Sequence, residues 1–121
     1  MSLKLNKDQI NRFSRQIILK NVGFLGQKKI INSKVLIVGM GGLGCPVAEF
    51  LTRAGVGYLG IVDHDNVDLS NIHRQSLYDF GDLNKPKVKS AEKKLKRINS
   101  KTKVKCYKMR LKRNNYNKII K

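Results

Sequence analysis

The run Lys34-Val-Leu-Ile-Val-Gly39-Met-Gly41-Gly42-Leu-Gly44-Cys45-Pro46 narrows what this chain can fold into. An apolar, β-branched segment ends in spaced glycines and passes directly into a stretch with helical periodicity. A glycine at a strand's end can take positive φ, and one without a Cβ lets the backbone approach a ligand closely. The helix that opens there aims unpaired N–H groups and the positive end of its dipole at an anion. Pro46 falls in the first turn of that helix, where its missing N–H costs little. The run predicts a strand, a phosphate-holding loop and a helix, without choosing the nucleotide.

The same alternation continues along the chain. Val35 to Val38 reads as a strand buried on both faces. Val47, Ala48, Phe50, Leu51 and Ala54 carry the next helix to Gly55-Val-Gly57. Tyr58 to Val62 reads as a second buried strand, closed by Asp63. Residues 64–85 lack a sustained period and read as a long loop with a helical turn near Ser70 to Arg74. Loops of that length inside compact domains are usually functional. Lys87 to Ile98 reads as a helix with Val88, Ala91, Leu95 and Ile98 inward, and Lys103 to Met109 alternates as a third strand. A further helix is expected toward Lys121.

Ahead of the glycine run, Asn6 to Lys20 places Ile10, Phe13, Ile17 and Ile18 at helical spacing, with Asn6 as cap and Gln9 three residues on. Gly23 and Gly26 are expected to flank a turn, and Gln27 to Ile31 to form one helical turn. The order of elements implies an α/β fold, a Rossmann-like doubly wound parallel sheet. Three strands make half of such a sheet. The expected division is an N-terminal helical segment over residues 1–33 and the N-terminal half of a nucleotide-binding domain over residues 34–121. The chain is therefore read as a fragment of a longer enzyme.

Charge adds a boundary. The formal net charge is +18, carried mostly by lysine and accompanied by many asparagines and isoleucines. That mixture reads as compositional bias of an A- and T-rich genome rather than as a nucleic-acid surface, since no aromatic platform is interleaved with the basic residues. Five of the acids lie locally at Asp63, Asp65, Asp68, Asp79 and Asp82, which a global bias does not explain. No run is long and apolar enough to span a membrane, and no secretory signal opens the chain. Cys45 and Cys106 form no CxxC pair, so no zinc site is expected within this chain, and a reducing cytoplasmic setting fits. Cys45 stands at a helix N-terminus. It is either a thiol of lowered pKa or, as favoured here, a packing residue.

Gly39-x-Gly41-x-x-Gly44 after a strand, with Asp63 at the end of the next, satisfies the dinucleotide fingerprint. The acid would accept hydrogen bonds from ribose hydroxyls. There is no GxxxxGK[ST]: Cys45 and Pro46 stand where its lysine and hydroxyl would be. Cations for an ATP triphosphate would have to come from the long loop and beyond. The candidates there are Asp65, Asn71, Arg74, Gln75 and Lys87. Asp65 suits magnesium, and Arg74 and Lys87 suit developing phosphate charge.

Taken in order, Arg12-Phe-Ser-Arg15-Gln-Ile-Ile-Leu19, Gly39 to Gly44, Ala54-Gly-Val-Gly57, Asp63-His-Asp65, Leu69-Ser-Asn71-Ile-His-Arg74-Gln75 and Lys85-Pro-Lys87-Val resemble the ThiF/MoeB/HesA adenylyltransferases, relatives of the ubiquitin-activating enzymes. Gly44-Cys45-Pro46 and Gly55-Val-Gly57-x-Leu-Gly60 look nearest to the eukaryotic MoeB-like members. The resemblance implies ATP-dependent adenylation of the C-terminal glycine carboxylate of a ubiquitin-like or sulfur-carrier protein ending in Gly-Gly, with release of pyrophosphate. It implies that Gly39, Gly41, Gly42 and Gly44 line the phosphates, Asp63 binds ribose and Asp65 sits near magnesium. Asn71, Arg74, Gln75 and Lys87 would contact the triphosphate, and Arg15 would reach into the partner's site of a homodimer. The family's main magnesium aspartate would lie beyond Lys121, as would any zinc-binding cysteines, conjugating cysteine or rhodanese-like domain. His64 and His73 match variable positions and are read as structural.

Two other readings share these residues. An NAD-binding dehydrogenase domain uses the glycines and Asp63 but gives no reason for Arg74 and Lys87. The non-catalytic half of a heterodimeric activating enzyme need not retain that arginine and lysine. Read as a fragment, the chain is expected to form adenylate poorly by itself. Pyrophosphate–ATP exchange tests that expectation, and a rate matching an intact enzyme would refute it.

Overall fold

The computed structural model describes residues 5–73 and 75–119. Three five-residue strands, β1 (Lys34–Val38), β2 (Tyr58–Val62) and β3 (Lys103–Tyr107), pair in parallel in the order β1-β2-β3. The register aligns Ile37, Ile61 and Cys106 in one row. Parallel neighbours require crossovers, and helices supply them. In chain order the helices are α1 (Lys7–Arg12), α2 (Ser14–Ile17), α3 (Gly23–Ile31), α4 (Gly44–Ala54), α5 (Lys87–Ile98) and α6 (Tyr116–Ile119). The α/β, Rossmann-like expectation holds.

One core lies between the sheet and the paired helices α4 and α5. Ile37, Leu59 and Ile61 from the strands meet Cys45 and Ala48 from α4 and Val88, Ala91 and Leu95 from α5. The expected inward stripe of α5 is therefore observed, with Ile98 only partly buried. Of the apolar residues read along α4, Ala48 is buried and Leu51 packs partly against the core. Cys45, Ala48 and Thr52 face inward, while Val47 and Phe50 are exposed. Small residues let α4 lie close to the sheet, which turns its bulky ones outward. Gly55 (φ 103°) ends α4 in the left-handed conformation, its N–H reaching Leu51 and Thr52.

β1 is likewise not buried on both faces. Val38 is 56% exposed. β1 is an edge strand of this sheet, and the face opposite α4 and α5 carries an open groove of about 260 Å³. Lys34, Leu36, Tyr58, Gly60 and Tyr107 line that groove. β3 ends at Tyr107, two residues before the expected Met109.

The expected single helix from Asn6 to Lys20 is two short ones. Asn6 and Gln9 form the anticipated reciprocal cap, but Phe13 (φ −104°, ψ 14°) interrupts the helix. Tertiary anchoring explains the break. Phe13 is buried against Gly55, while Ile10 and Ile18 are exposed. Arg12 donates to the Ile98 carbonyl at 3.0 Å and Gln16 to the Ala54 carbonyl at 3.1 Å. Nor does Gly26 flank a turn: α3 runs through it from Gly23. Gln27, fully buried in α3, donates to the same Ala54 carbonyl at 3.0 Å and accepts from Gln16 at 2.7 Å.

The crossover from β2 to α5 is organised by aspartates. A 3-10 turn over Leu69–Asn71 is capped by Asp68. A second, over Phe80–Asp82, was not legible in the sequence and is closed reciprocally by Asp79 and Asp82. Lys94 of α5 holds both of those carboxylates. No helix among the described residues is long and apolar enough to cross a membrane.

Leu95 is fully buried at the centre of this core. Leu95→Ala is expected to cost about 2–5 kcal/mol. Urea unfolding should show a lower midpoint at unchanged slope; an unshifted midpoint would contradict the assigned core.

Candidate functional site

The glycine loop leaves the carboxyl end of β1, where ligands of open α/β sheets bind. Gly39 takes φ 93°, and its N–H donates to the Val62 carbonyl at 2.7 Å, so the loop starts tied to β2. A Cβ on Gly44 would fall 1.8 Å from the Gly39 carbonyl oxygen. The start of α4 can therefore touch the start of the loop only because Gly44 has no side chain. Cys45 N–H donates to the Gly41 carbonyl at 3.0 Å, which turns the loop into the helix. Gly42 is exposed at the tip.

Met40 is the residue on which this loop is fixed. Its N–H donates to Asp63 Oδ2 at 2.7 Å. Its carbonyl accepts from the Tyr78 hydroxyl at 2.7 Å and from the Cys45 thiol at 3.3 Å. Asp63 is buried, and its other oxygen accepts from Asp65 N–H at 2.8 Å. Sequence reasoning gave Met40 and Tyr78 no role. The available signal was the adjacent apolar pair Leu77-Tyr78, in a loop whose other apolar residues stand singly.

Lys87 joins this end of the sheet through its backbone, N–H to the Asp65 carbonyl at 3.1 Å. Its side chain is buried, and no carboxylate of the described residues pairs with it within 4.0 Å. Gln75 is buried against the loop, its Nε2 3.6 Å from where a Gly41 Cβ would stand. Gln75 Oε1 has no hydrogen-bond partner among the described residues. Gln75 N–H donates to the Asn71 carbonyl at 3.0 Å, so the half-buried Asn71 is linked to the same cluster. Arg74 lies outside the described residues.

Asp65 is exposed beside His64, whose Nε2 lies 3.1 Å from Asp65 Oδ1 and 3.0 Å from Arg110. Ligand atoms of Asp63, His64 and Asp65 all lie within 4.8 Å of one another. Arg15 is not brought to this site. It is exposed on α2, whose Gln16 contacts Ala54 at the far end of α4 from the glycine loop. A helix of that length separates the two by about 16 Å. A cavity of about 460 Å³ also lies at that far end, between Arg12, Phe13, Gly57, Asn99 and Lys103. The converging polar groups and the loop geometry, not cavity size, mark the site at the carboxyl ends.

Cys45 is fully buried, and burial pushes its thiol above the usual range, outweighing the opposing hydrogen bond with Tyr78. It is the packing residue favoured from sequence. A thiol reagent at pH 8 should leave Cys45 unmodified in the folded chain and label it after denaturation, since the thiolate is the reactive form. Rapid native labelling would contradict its burial. Gly44→Ala places a methyl group against a backbone carbonyl that cannot move freely. It should destabilise the chain by at least about 1–3 kcal/mol, read as a lower urea midpoint.

Residues 13–121 match the ThiF family. The chain is 49% identical over 104 residues to the adenylyltransferase and sulfurtransferase MOCS3 of Drosophila willistoni, covering 86% of this chain and 23% of that protein. It is 44% identical over 120 residues to MOCS3 of Danio rerio, covering 99% and 26%. The chain thus spans about a quarter of the length of the curated relatives it matches. Among solved structures, E. coli MccB with ATP superposes with a TM-score of 0.78 at 27% identity, over 92% of this chain and 35% of that one. With the match spanning the glycine loop, the crossover and all three strands, the chain belongs to the ThiF family.

Proposed function

We propose that this chain is the nucleotide-binding part of an adenylyltransferase that activates the C-terminal glycine carboxylate of a ubiquitin-like or sulfur-carrier protein. The observation that carries the reading is Lys87: a residue only 5% exposed at the carboxyl end of the sheet, its ammonium paired with no carboxylate of the described residues. A lysine packed this far into the fold with no counter-charge favours an anion at its ammonium, and a triphosphate supplies one. The names of the MOCS3 relatives and the ATP-bound MccB structure support the same chemistry.

In the proposed reaction a carboxylate oxygen of the carrier attacks the α-phosphorus of ATP. The new bond is O–P; the bond to the β-phosphate oxygen breaks, and pyrophosphate leaves with its electron pair. A carboxylate is already a competent nucleophile, so the protein's task is to align the reactants and neutralise charge. Backbone at Gly39, Gly41, Gly42 and Gly44 would cradle the phosphates. Asp63, with one lone pair of each oxygen engaged by the loop, retains acceptor capacity for ribose hydroxyls. The unpartnered Gln75 Oε1 would accept from nucleotide or an ordered water, while Asn71, Arg74 and Lys87 would meet the triphosphate.

Asp65 offers the exposed carboxylate oxygen that a hard cation takes, which fits magnesium. Magnesium would supply charge neutralisation on the phosphates. Arg15, held away from this chain's own site, would serve the site of a second copy in a homodimer. The division at residues 33 and 34 and a reducing cytoplasmic setting, in keeping with two free thiols, belong to the same proposal. A dehydrogenase site leaves the buried Lys87 unexplained, and its retention favours the active over the non-catalytic half of a heterodimer.

Calorimetric titration with ATP and magnesium, against NAD, tests the reading. ATP should bind the more tightly, and Lys87→Ala should weaken it about tenfold or more, as expected for hydrogen bonds to a charged group. Tighter binding of NAD overturns the proposal.

A further inference from the structure

The glycine loop and the crossover loop form the two sides of the candidate site but belong to different parts of the chain. Asp63 ties them where the crossover begins; farther along the crossover a hydroxyl joins them. Tyr78 is 4% exposed, and its phenol donates to the Met40 carbonyl across 38 residues of sequence at 2.7 Å. Its own backbone N–H donates to the Gln75 carbonyl at 3.1 Å, so Tyr78 and Gln75 move as one turn. Gln75 in turn presents its amide to Gly41, the residue after Met40. The loop is therefore held at Met40 from one side by Asp63 and from the other by Tyr78.

We propose that Tyr78 is a positioning residue: its hydroxyl couples the crossover loop carrying Asn71 and Gln75 to the glycine loop, setting the width of the nucleotide cradle. Burial first, then the neighbouring Cys45, raises the phenol far above its ordinary pKa, so it remains a donor throughout the working pH range. The Cys45 thiol reaches the same carbonyl but comes from α4, which is continuous with the glycine loop. It can satisfy the carbonyl without linking the two loops. That difference separates a positioning role from a merely structural one.

The inference rests on the nucleotide reading only in its second readout. Tyr78→Phe keeps the ring and removes the hydroxyl. In the unliganded chain, amide exchange at Gly39, Met40 and Cys45 should quicken roughly tenfold, while α5 and β2 keep wild-type rates. The dissociation constant for ATP should rise roughly threefold to tenfold, the effect of one neutral hydrogen bond. Adding Cys45→Ser gives the Met40 carbonyl a stronger donor from α4; stability should recover, but neither the loop exchange nor the ATP constant should. Unchanged exchange at the glycine loop overturns the proposal. So does faster exchange spread evenly through α5 and β2, or full rescue by Cys45→Ser. If wild-type chain binds NAD in preference to ATP, the adenylation reading fails while the exchange data still decide the role of Tyr78.

Discussion

The Asp63 carboxylate is the constraint on which the rest of this site depends. It is buried, so its charge must be met by strong donors. It meets two, the backbone N–H groups of Met40 and Asp65. One oxygen thereby fixes the glycine loop and the other the start of the crossover. The Asp65 carbonyl then receives Lys87 N–H, which places the first residue of α5. Both sides of the site and the helix behind it are thus set by a single side chain at the end of the central strand.

The two ends of the sheet do different work. At the amino end, Phe13, Gln16 and Gln27 converge on Ala54 and Gly55, closing the N-terminal helices over the exit of α4. Among the described residues, Gln75 Oε1 at the carboxyl end has no hydrogen-bond partner and Lys87 no carboxylate, while Thr52 Oγ1 near the other end and Ser90 Oγ are also unpartnered. A fold tolerates such groups where ligand is to complete them. A cavity of about 460 Å³ lies at the closed end, where no comparable set of polar groups converges.

The acidic cluster that stands out in a chain of net charge +18 has a mostly structural explanation. Asp68 caps one 3-10 turn, Asp79 and Asp82 cap another and grip Lys94, and Asp63 holds the glycine loop. The Ser70 hydrogen bonds pull the Asp68 carboxyl below its usual range, as Lys94 does for Asp79. Asp65, whose exposed side chain meets His64, caps no turn. A crossover this long with little regular structure needs such side-chain-to-backbone bonds to hold one shape.

Much of this was legible in the residues themselves. The order of strands and helices, the bounds of β2 and α5, the Asn6 cap and the left-handed end of α4 follow from periodicity, capping chemistry and glycine sterics, all of which act over a few residues. The glycines and Asp63 follow from spacing at adjacent strand ends; Gln75 and Lys87 were candidates of the long loop, and it is the fold that brings them beside that end. What could not be read was anything set by contact at a distance. The break at Phe13, the extension of α3 through Gly26, the outward turn of Phe50 and the open face of β1 depend on which surfaces meet. The tie between Tyr78 and Met40 crosses loops that the chain order keeps apart. Local sterics and hydrogen bonding chose the elements; burial against remote partners chose which side chains they turn inward and how tightly the cradle is held.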